Sequence, residues 1–240
     1  MIRSCIFCQN LADGDGGAIY TWNGSKPAIT NCTFHGNRAR DAGGMICSRR
    51  DSNPRSTNCI MWGNEATHGD AICLALYTWG RTFTTAATVS HSDVEGGYAR
   101  AYVETGCTLN WSEGNIDADP LFVDPASGGC RLRAESPCVD AGNPAYIPAL
   151  RETDIEGEPR VMGGRVDMGA DEFTSTLIPI LYVSATEFQF ALYVDGPNPE
   201  AQILSICNIG SGTLEWNIIE DCPWLRAEPA RGESITGSSV

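Results

Sequence analysis

Apolar and polar positions alternate in very short runs along the first hundred residues. Cys5-Ile6-Phe7-Cys8 gives way to Gln9-Asn10, Cys32-Thr33-Phe34-His35 to Gly36-Asn37, and Cys59-Ile60-Met61-Trp62 to Gly63-Asn64. Successive runs stand 27 residues apart. Gly16-Gly17-Ala18-Ile19 returns as Gly43-Gly44-Met45-Ile46 and then as Gly69-Asp70-Ala71-Ile72, and Pro27 returns as Pro54. A looser fourth copy spans Val89 to Gly97. Several landmarks sharing one period identify an internal repeat. Alternation predicts strands, and the intervening Gly, Asn and Asp predict turns. No amphipathic helical stretch fits between the turns.

One such repeat cannot bury its apolar side alone. Stacking copies about 4.8 Å apart in parallel register solves that. The expectation is an all-β solenoid with inward ladders Cys5/Cys32/Cys59 and Phe7/Phe34/Met61. An Asn10/Asn37/Asn64 turn ladder would bond coil to coil through its side-chain amides while its backbone takes the left-handed conformation.

The pattern Asn-Cys-x-Phe-x-Gly-Asn with Gly-Gly-Ala-Ile resembles right-handed parallel β-helix proteins of the pectin-lyase-like superfamily. Further along, Gly114-Asn115-Ile116-Asp117-Ala118-Asp119-Pro120-Leu121-Phe122-Val123-Asp124-Pro125 precedes Ser136-Pro137-Cys138-Val139-Asp140-Ala141-Gly142. Asp154-Ile155-Glu156-Gly157-Glu158-Pro159-Arg160 and Asp167-Met168-Gly169-Ala170-Asp171-Glu172-Phe173 follow. This series is similar to the C-terminal end of bacterial surface β-helix proteins with a choice-of-anchor Q domain. The resemblance covers roughly residues 1–174. It implies β-helix coils over 1–113, a terminal coil and cap over 114–174, and an exported parent protein at the cell surface.

From Leu177 the pattern changes. Leu181–Ser184, Glu187–Phe190 and Gln202–Asn208 read as strands, and Gly210-Ser211-Gly212 reads as a turn into a strand at Leu214–Ile218. These runs, with Cys222-x-Trp224-Leu225, resemble the immunoglobulin-like BACON β-sandwiches, which implies such a module over 177–240, short of its last strands.

Composition narrows the function. The formal net charge is −14, which disfavours a nucleic-acid partner. No run of 18 or more apolar residues is present, so no transmembrane helix is expected. Met1-Ile2-Arg3-Ser4 enters the first coil without signal-peptide character. An uncapped first coil reads more readily as a fragment of an exported protein than as a cytoplasmic chain. Of the eleven cysteines, Cys5, Cys32 and Cys59 read as packing. Cys5-x-x-Cys8 has no partner at zinc spacing. Cys130 with Cys138, and Cys207 with Cys222, are candidate bridges.

Candidate chemistry lies on the outer face. Asp13, Asp15, Asp41 and Asp70 fall near the Gly-Gly turn. Carboxylates there suit Ca²⁺, although Asp is also a common solvated turn residue. Lyases of the resembled superfamily use acidic residues for Ca²⁺ and an Arg or Lys base, and its hydrolases use clustered Asp. The hydrolase motifs Asn-Thr-Asp, Asp-Asp and Gly-His-Gly are absent here, and His35, His68 and His91 sit in no catalytic pattern. The aspartates of 115–124 and 154–172 read as capping residues rather than a metal site. Tyr20, Trp22, Arg49, Arg50, Tyr77 and Trp79 fall on neighbouring levels of one outer edge. Aromatic faces and guanidinium groups suit sugar rings and hydroxyls, and the alternative is that these side chains cover a coil corner. Two functions stand. The favoured one is a non-catalytic, adhesive or polysaccharide-binding surface protein that requires no cofactor. The alternative is a polysaccharide lyase or glycoside hydrolase whose site extends beyond this chain.

Overall fold

A computed structural model describes residues 1–76, 83–174, 179–191, 196–208 and 213–235. The chain divides into two compact units, Met1–Thr174 and Ser175–Val240.

Unit one is a β-solenoid of about four turns. The first coil carries β1 (Ile2–Arg3), β2 (Ile6–Cys8), β3 (Leu11–Ala12) and β4 (Ile19–Thr21). The second carries β5 (Ala28–Thr30), β6 (Thr33–His35), β7 (Arg38–Ala39) and β8 (Ile46–Arg49). The third holds β9 (Arg55–Thr57), β10 (Ile60–Trp62) and β11 (Ile72–Ala75), and the fourth β12 (Ala86–Ser90), β13 (Asp93–Val94) and β14 (Tyr102–Val103). A fifth begins with β15 (Thr108–Trp111).

Equivalent strands stack into three parallel sheets. The first runs β1-β5-β9-β12-β15, the second β2-β6-β10-β13 and the third β4-β8-β11-β14. The register follows the repeat: Ile2 lies opposite Ile29, Phe7 opposite Phe34 and Ile19 opposite Ile46. Between the third and fourth coils the step lengthens, with Ile60 opposite Asp93, and it then shortens, with Ala86 opposite Thr108.

Side chains at the repeated positions stack from coil to coil. Cys32, Cys59, Phe34 and Met61 are fully buried in one core with Ile29, Ile46, Ile72 and Leu74. Phe7 and Phe34 stack with centroids 4.8 Å apart and ring planes 11° from parallel. Asn37 Oδ1 accepts from the main-chain N–H of Asn10 at 3.2 Å and from its Nδ2 at 2.8 Å. Asn64 repeats the arrangement one coil on, at 3.1 and 2.9 Å. Asn37 Nδ2 and Asn64 Nδ2 also donate to the carbonyls of Phe7 and Phe34.

The backbone expectation for these asparagines needs correction. The left-handed residue is the one before each, namely Gln9, Gly36 and Gly63. The asparagine follows that turn with its side chain directed inward. A second left-handed ladder, Ser4/Asn31/Asn58/His91, marks the corner between the first and second sheets.

The Gly-Gly turn has a steric origin. A Cβ on Gly44 would lie 2.2 Å from the carbonyl oxygen of Asp70 on the next coil, so a side chain there would force the coils apart.

Residues 114–174, which we call the belt, carry little regular structure beyond the hairpin of β16 (Phe122–Asp124) and β17 (Gly129–Leu132). The belt packs along the outer face of the second sheet. Phe122, Cys130, Leu132, Cys138 and Met168 form a second apolar cluster with Ile60, flanked by Ile6, Cys8 and Trp62. At its centre Gly169 donates its N–H to the carbonyl of Asn58. A Cβ on Gly169 would lie 2.8 Å from Ile60 Cδ1 and 2.9 Å from Thr33 Oγ1, so this approach requires glycine.

In unit two, β18 (Leu181–Val183) pairs antiparallel with β19 (Ile206–Asn208), and β20 (Thr213–Asn217) with β21 (Arg231–Ile235). β19 and β20 belong to different two-stranded ladders, and the expected turn Gly210-Ser211-Gly212 lies outside the described residues. Glu187–Phe190 is not a strand. Among the described residues this alternating run has no ladder partner.

Asn37→Ala would strip acceptors and donors from two coil junctions at a fully buried position. It should cost about 2–4 kcal/mol, read as a lower urea midpoint. Asn10→Ala, at the exposed end of the same ladder, should cost clearly less. Equal costs would contradict the ladder's role.

Candidate functional site

The third sheet presents its outer face through β4, β8, β11 and β14. Tyr20, Cys47, Cys73 and Tyr102 occupy successive levels of one outward row. Tyr20 is exposed and stacks on the half-buried Trp22, with centroids 6.1 Å apart. The Arg50 guanidinium lies over the Trp22 ring at 5.4 Å and over the buried Phe83 ring at 4.8 Å. Tyr20, Trp22 and Arg50 therefore come together. Tyr77 and Trp79 lie outside the described residues.

Arg49, the position in line with Trp22, does not join them. It turns to Asp15 at 3.1 Å, a shorter route for its charge than the ring. Arg50 instead reaches the ring from a strained backbone. Arg50 and Asp51 both have left-handed torsions, φ 54° and 60°, at positions the preceding coil fills with Asn23-Gly24. Such torsions cost on the order of 1–2 kcal/mol for a residue with a Cβ. Asp51 Oδ1 accepts from the Thr84 N–H at 2.8 Å, which ties this turn to the segment carrying Phe83. Residue-type reasoning missed Phe83 and Asp51. The substitution of Arg-Asp for Asn-Gly at a 27-residue offset was the available signal.

The four aspartates of the Gly-Gly corner are not gathered into a site. Asp15 pairs with Arg49, and Asp70 pairs with Arg100 at 2.5 Å. Asp13 and Asp41 are exposed. Among the described residues no group of three or more His, Cys, Asp or Glu side chains is arranged to hold a metal ion.

The belt carboxylates, together with Asp93 of β13, have a different employment: they accept main-chain N–H groups. Asp93 takes Ala118, Asp171 takes Leu132, and Asp167 takes Asp140 and Phe173. Asp154 takes Glu156, Glu158 and Glu172. Glu172 takes Met162 and Asp167, and faces the fully buried Arg160 at 3.7 Å. Arg160 in turn donates to the carbonyls of Asp167, Gly169 and Ala170. Burial pushes Asp93 and Asp171 up to about 7, Asp167 to about 6 and Glu172 to about 8.

The candidate bridges are placed differently from expectation. Cys138 donates to Asp93 Oδ2 at 3.3 Å, while Cys130 faces Cys8. Cys222 contacts Asp221 at 3.5 Å. All eleven cysteines are thiols in the structure.

Comparison with known proteins gives one finding. A family model, the Chlamydia polymorphic membrane protein repeat, matches residues 4–21. No curated protein and no solved structure matches the chain. The matched segment runs from the corner before β2 to the end of β4, a single coil. The match falls on a β-helix-type repeat and agrees with the parallel β-solenoid of unit one. Among the described residues no helix is long and apolar enough to cross a membrane.

The raised carboxyl groups fix the sign of a pH dependence. Folded, they hold protons that the unfolded chain, with carboxyls near 4, releases between about pH 4 and pH 8. Stability should therefore fall as pH rises through that window. Glu152 acts oppositely only at the acid end. Its burial is outweighed by hydrogen bonds from Tyr146 and Ala149 and by Arg3. The melting midpoint should be higher by on the order of 5 °C at about pH 5.5 than at about pH 8.5. Asp171→Asn, which keeps an acceptor for Leu132, should flatten the dependence. An unchanged slope would remove Asp171 from the account.

Proposed function

We propose that this is a non-catalytic, extracellular or cell-surface β-helix protein that binds polysaccharide or cell-surface glycan along the outer edge of its third sheet. The observation that carries this reading is the Tyr20–Trp22–Arg50 group, with Arg50 held over two aromatic rings from a left-handed turn. Pyranose rings offer C–H faces to aromatic side chains and hydroxyls to guanidinium donors, so one group serves both. A strained Arg-Asp pair, where Asn-Gly serves the neighbouring coil, is a cost that a binding role explains.

The surface reading is supported by the match of one coil to a repeat of polymorphic membrane proteins. It extends to a right-handed, pectin-lyase-like helix in which residues 114–174 correspond to the choice-of-anchor Q segment. Residues 177–240 then correspond to a BACON-like immunoglobulin module. The support for these finer assignments is the motifs themselves, Asp117–Asp124, Ser136–Gly142, Asp154–Arg160, Asp167–Phe173 and Leu204–Leu225. The reading excludes a requirement for a cofactor and gives the corner aspartates no metal role.

Glycan-array binding tests it. The parent chain should bind at least one class of polysaccharide, and Trp22→Ala should weaken that binding ten-fold or more with an unchanged melting midpoint. Arg50→Asn, which tolerates the left-handed turn, should weaken binding while holding or raising stability. Equal binding by all three proteins, or none by the parent, would overturn the proposal.

A further inference from the structure

The cysteines sort by what surrounds them. Cys32 and Cys59 are interior packing, and Cys138 is engaged with Asp93. Cys47 and Cys73 are register-paired on adjacent strands of the third sheet. Main-chain bonds already join those strands, so a bridge there would constrain little. Cys8 and Cys130 differ. They stand 122 positions apart and belong to elements with no ladder between them. Cys8 ends β2 on the outer face of the second sheet, and Cys130 lies in the belt hairpin.

Three contacts hold these two residues together. Both sit in the apolar cluster beneath the belt, Cys130 buried and Cys8 partly so. Gly128 passes so near that a Cβ on it would lie 3.5 Å from Cys8 Sγ. Gln9 Nε2, on the residue after Cys8, donates to the carbonyl of Ala126 at 3.2 Å, at the tip of the hairpin. The seam is thus fixed on both sides of the sulfurs. Burial raises the Cys130 thiol to about 12, with the Cys8 sulfur adding to the shift.

We propose that Cys8 and Cys130 are a disulfide-forming pair that fastens the belt to the first coil. Each thiol loses its proton and the two sulfurs join. The two electrons pass to an external disulfide, such as oxidised glutathione or a thiol–disulfide oxidoreductase, which is cleaved to two thiols. A link across so long a loop restricts the unfolded chain far more than a link within one sheet. The proposal stands on the contact alone and is independent of glycan binding.

Equilibrating the full chain with oxidised glutathione, alkylating it and mapping its peptides without reduction tests the pairing. The expected result is a linked peptide joining Cys8 to Cys130, assigned by fragmentation and lost on reduction. The oxidised parent should melt several degrees above the reduced one, and Cys8→Ser and Cys130→Ser should show no such rise. Alkylation of both residues in the oxidised chain, a Cys130–Cys138 link, or an equal rise in the two variants would overturn the proposal.

Discussion

A main-chain N–H that leaves water must find another acceptor, and a chain of two- to five-residue strands meets that demand at nearly every position. In the solenoid the acceptor is the next coil. The register that aligns Ile2 with Ile29 sets strand amides against carbonyls one level away. Where strands end, side chains continue the pattern: Asn37 and Asn64 accept the amides of Asn10 and Asn37 at the turn. In the belt, which lacks long strands, carboxylates take over. Asp154, Asp167, Asp171 and Glu172 in the belt, and Asp93 of β13 facing it, each receive one or more backbone N–H groups. The cost is several buried carboxyl groups whose charged form is disfavoured.

That division of acceptors decides which surface is left for recognition. The belt occupies the outer face of the second sheet, and through Tyr146 and Glu152 it also reaches Asn31 and Arg3 at the corner with the first. The third sheet keeps Tyr20 and Tyr102 exposed. The strained Arg50 therefore sits beside a face from which the belt is absent. Of the acidic residues that looked like metal ligands in the sequence, Asp15 and Asp70 are partners of arginines at the Gly-Gly corner, Asp13 and Asp41 stand exposed, and Asp154, Asp167 and Asp171 accept main-chain N–H groups within the belt.

Much of the solenoid was legible because its period is local and repeated. Cys5/Cys32/Cys59, Phe7/Phe34/Met61 and Asn10/Asn37/Asn64 each occur three times at one spacing, so stacking was the simple reading. The turn torsions were displaced by one residue because Gly36 and Gly63, not the asparagines, lack a Cβ at the left-handed position. The belt's docking was not legible, since it depends on contacts such as Ala170 with Thr33 and Asn143 with Asn58 that no short-range pattern encodes. For the same reason Cys130 looked like a partner for its sequence neighbour Cys138 and not for Cys8. At the candidate site the offset singled out Trp22 and Arg49, but Asp15 captured Arg49, and Arg50 took the ring.

The account makes backbone satisfaction by carboxylates equivalent to satisfaction by strands, and amide hydrogen exchange reads this residue by residue. The N–H groups of Ala118, Leu132, Glu172 and Phe173 donate to carboxylates yet should exchange as slowly as those of β6 and β10, at about neutral pH. Rapid, loop-like exchange at these four, with the strands protected, would contradict the account.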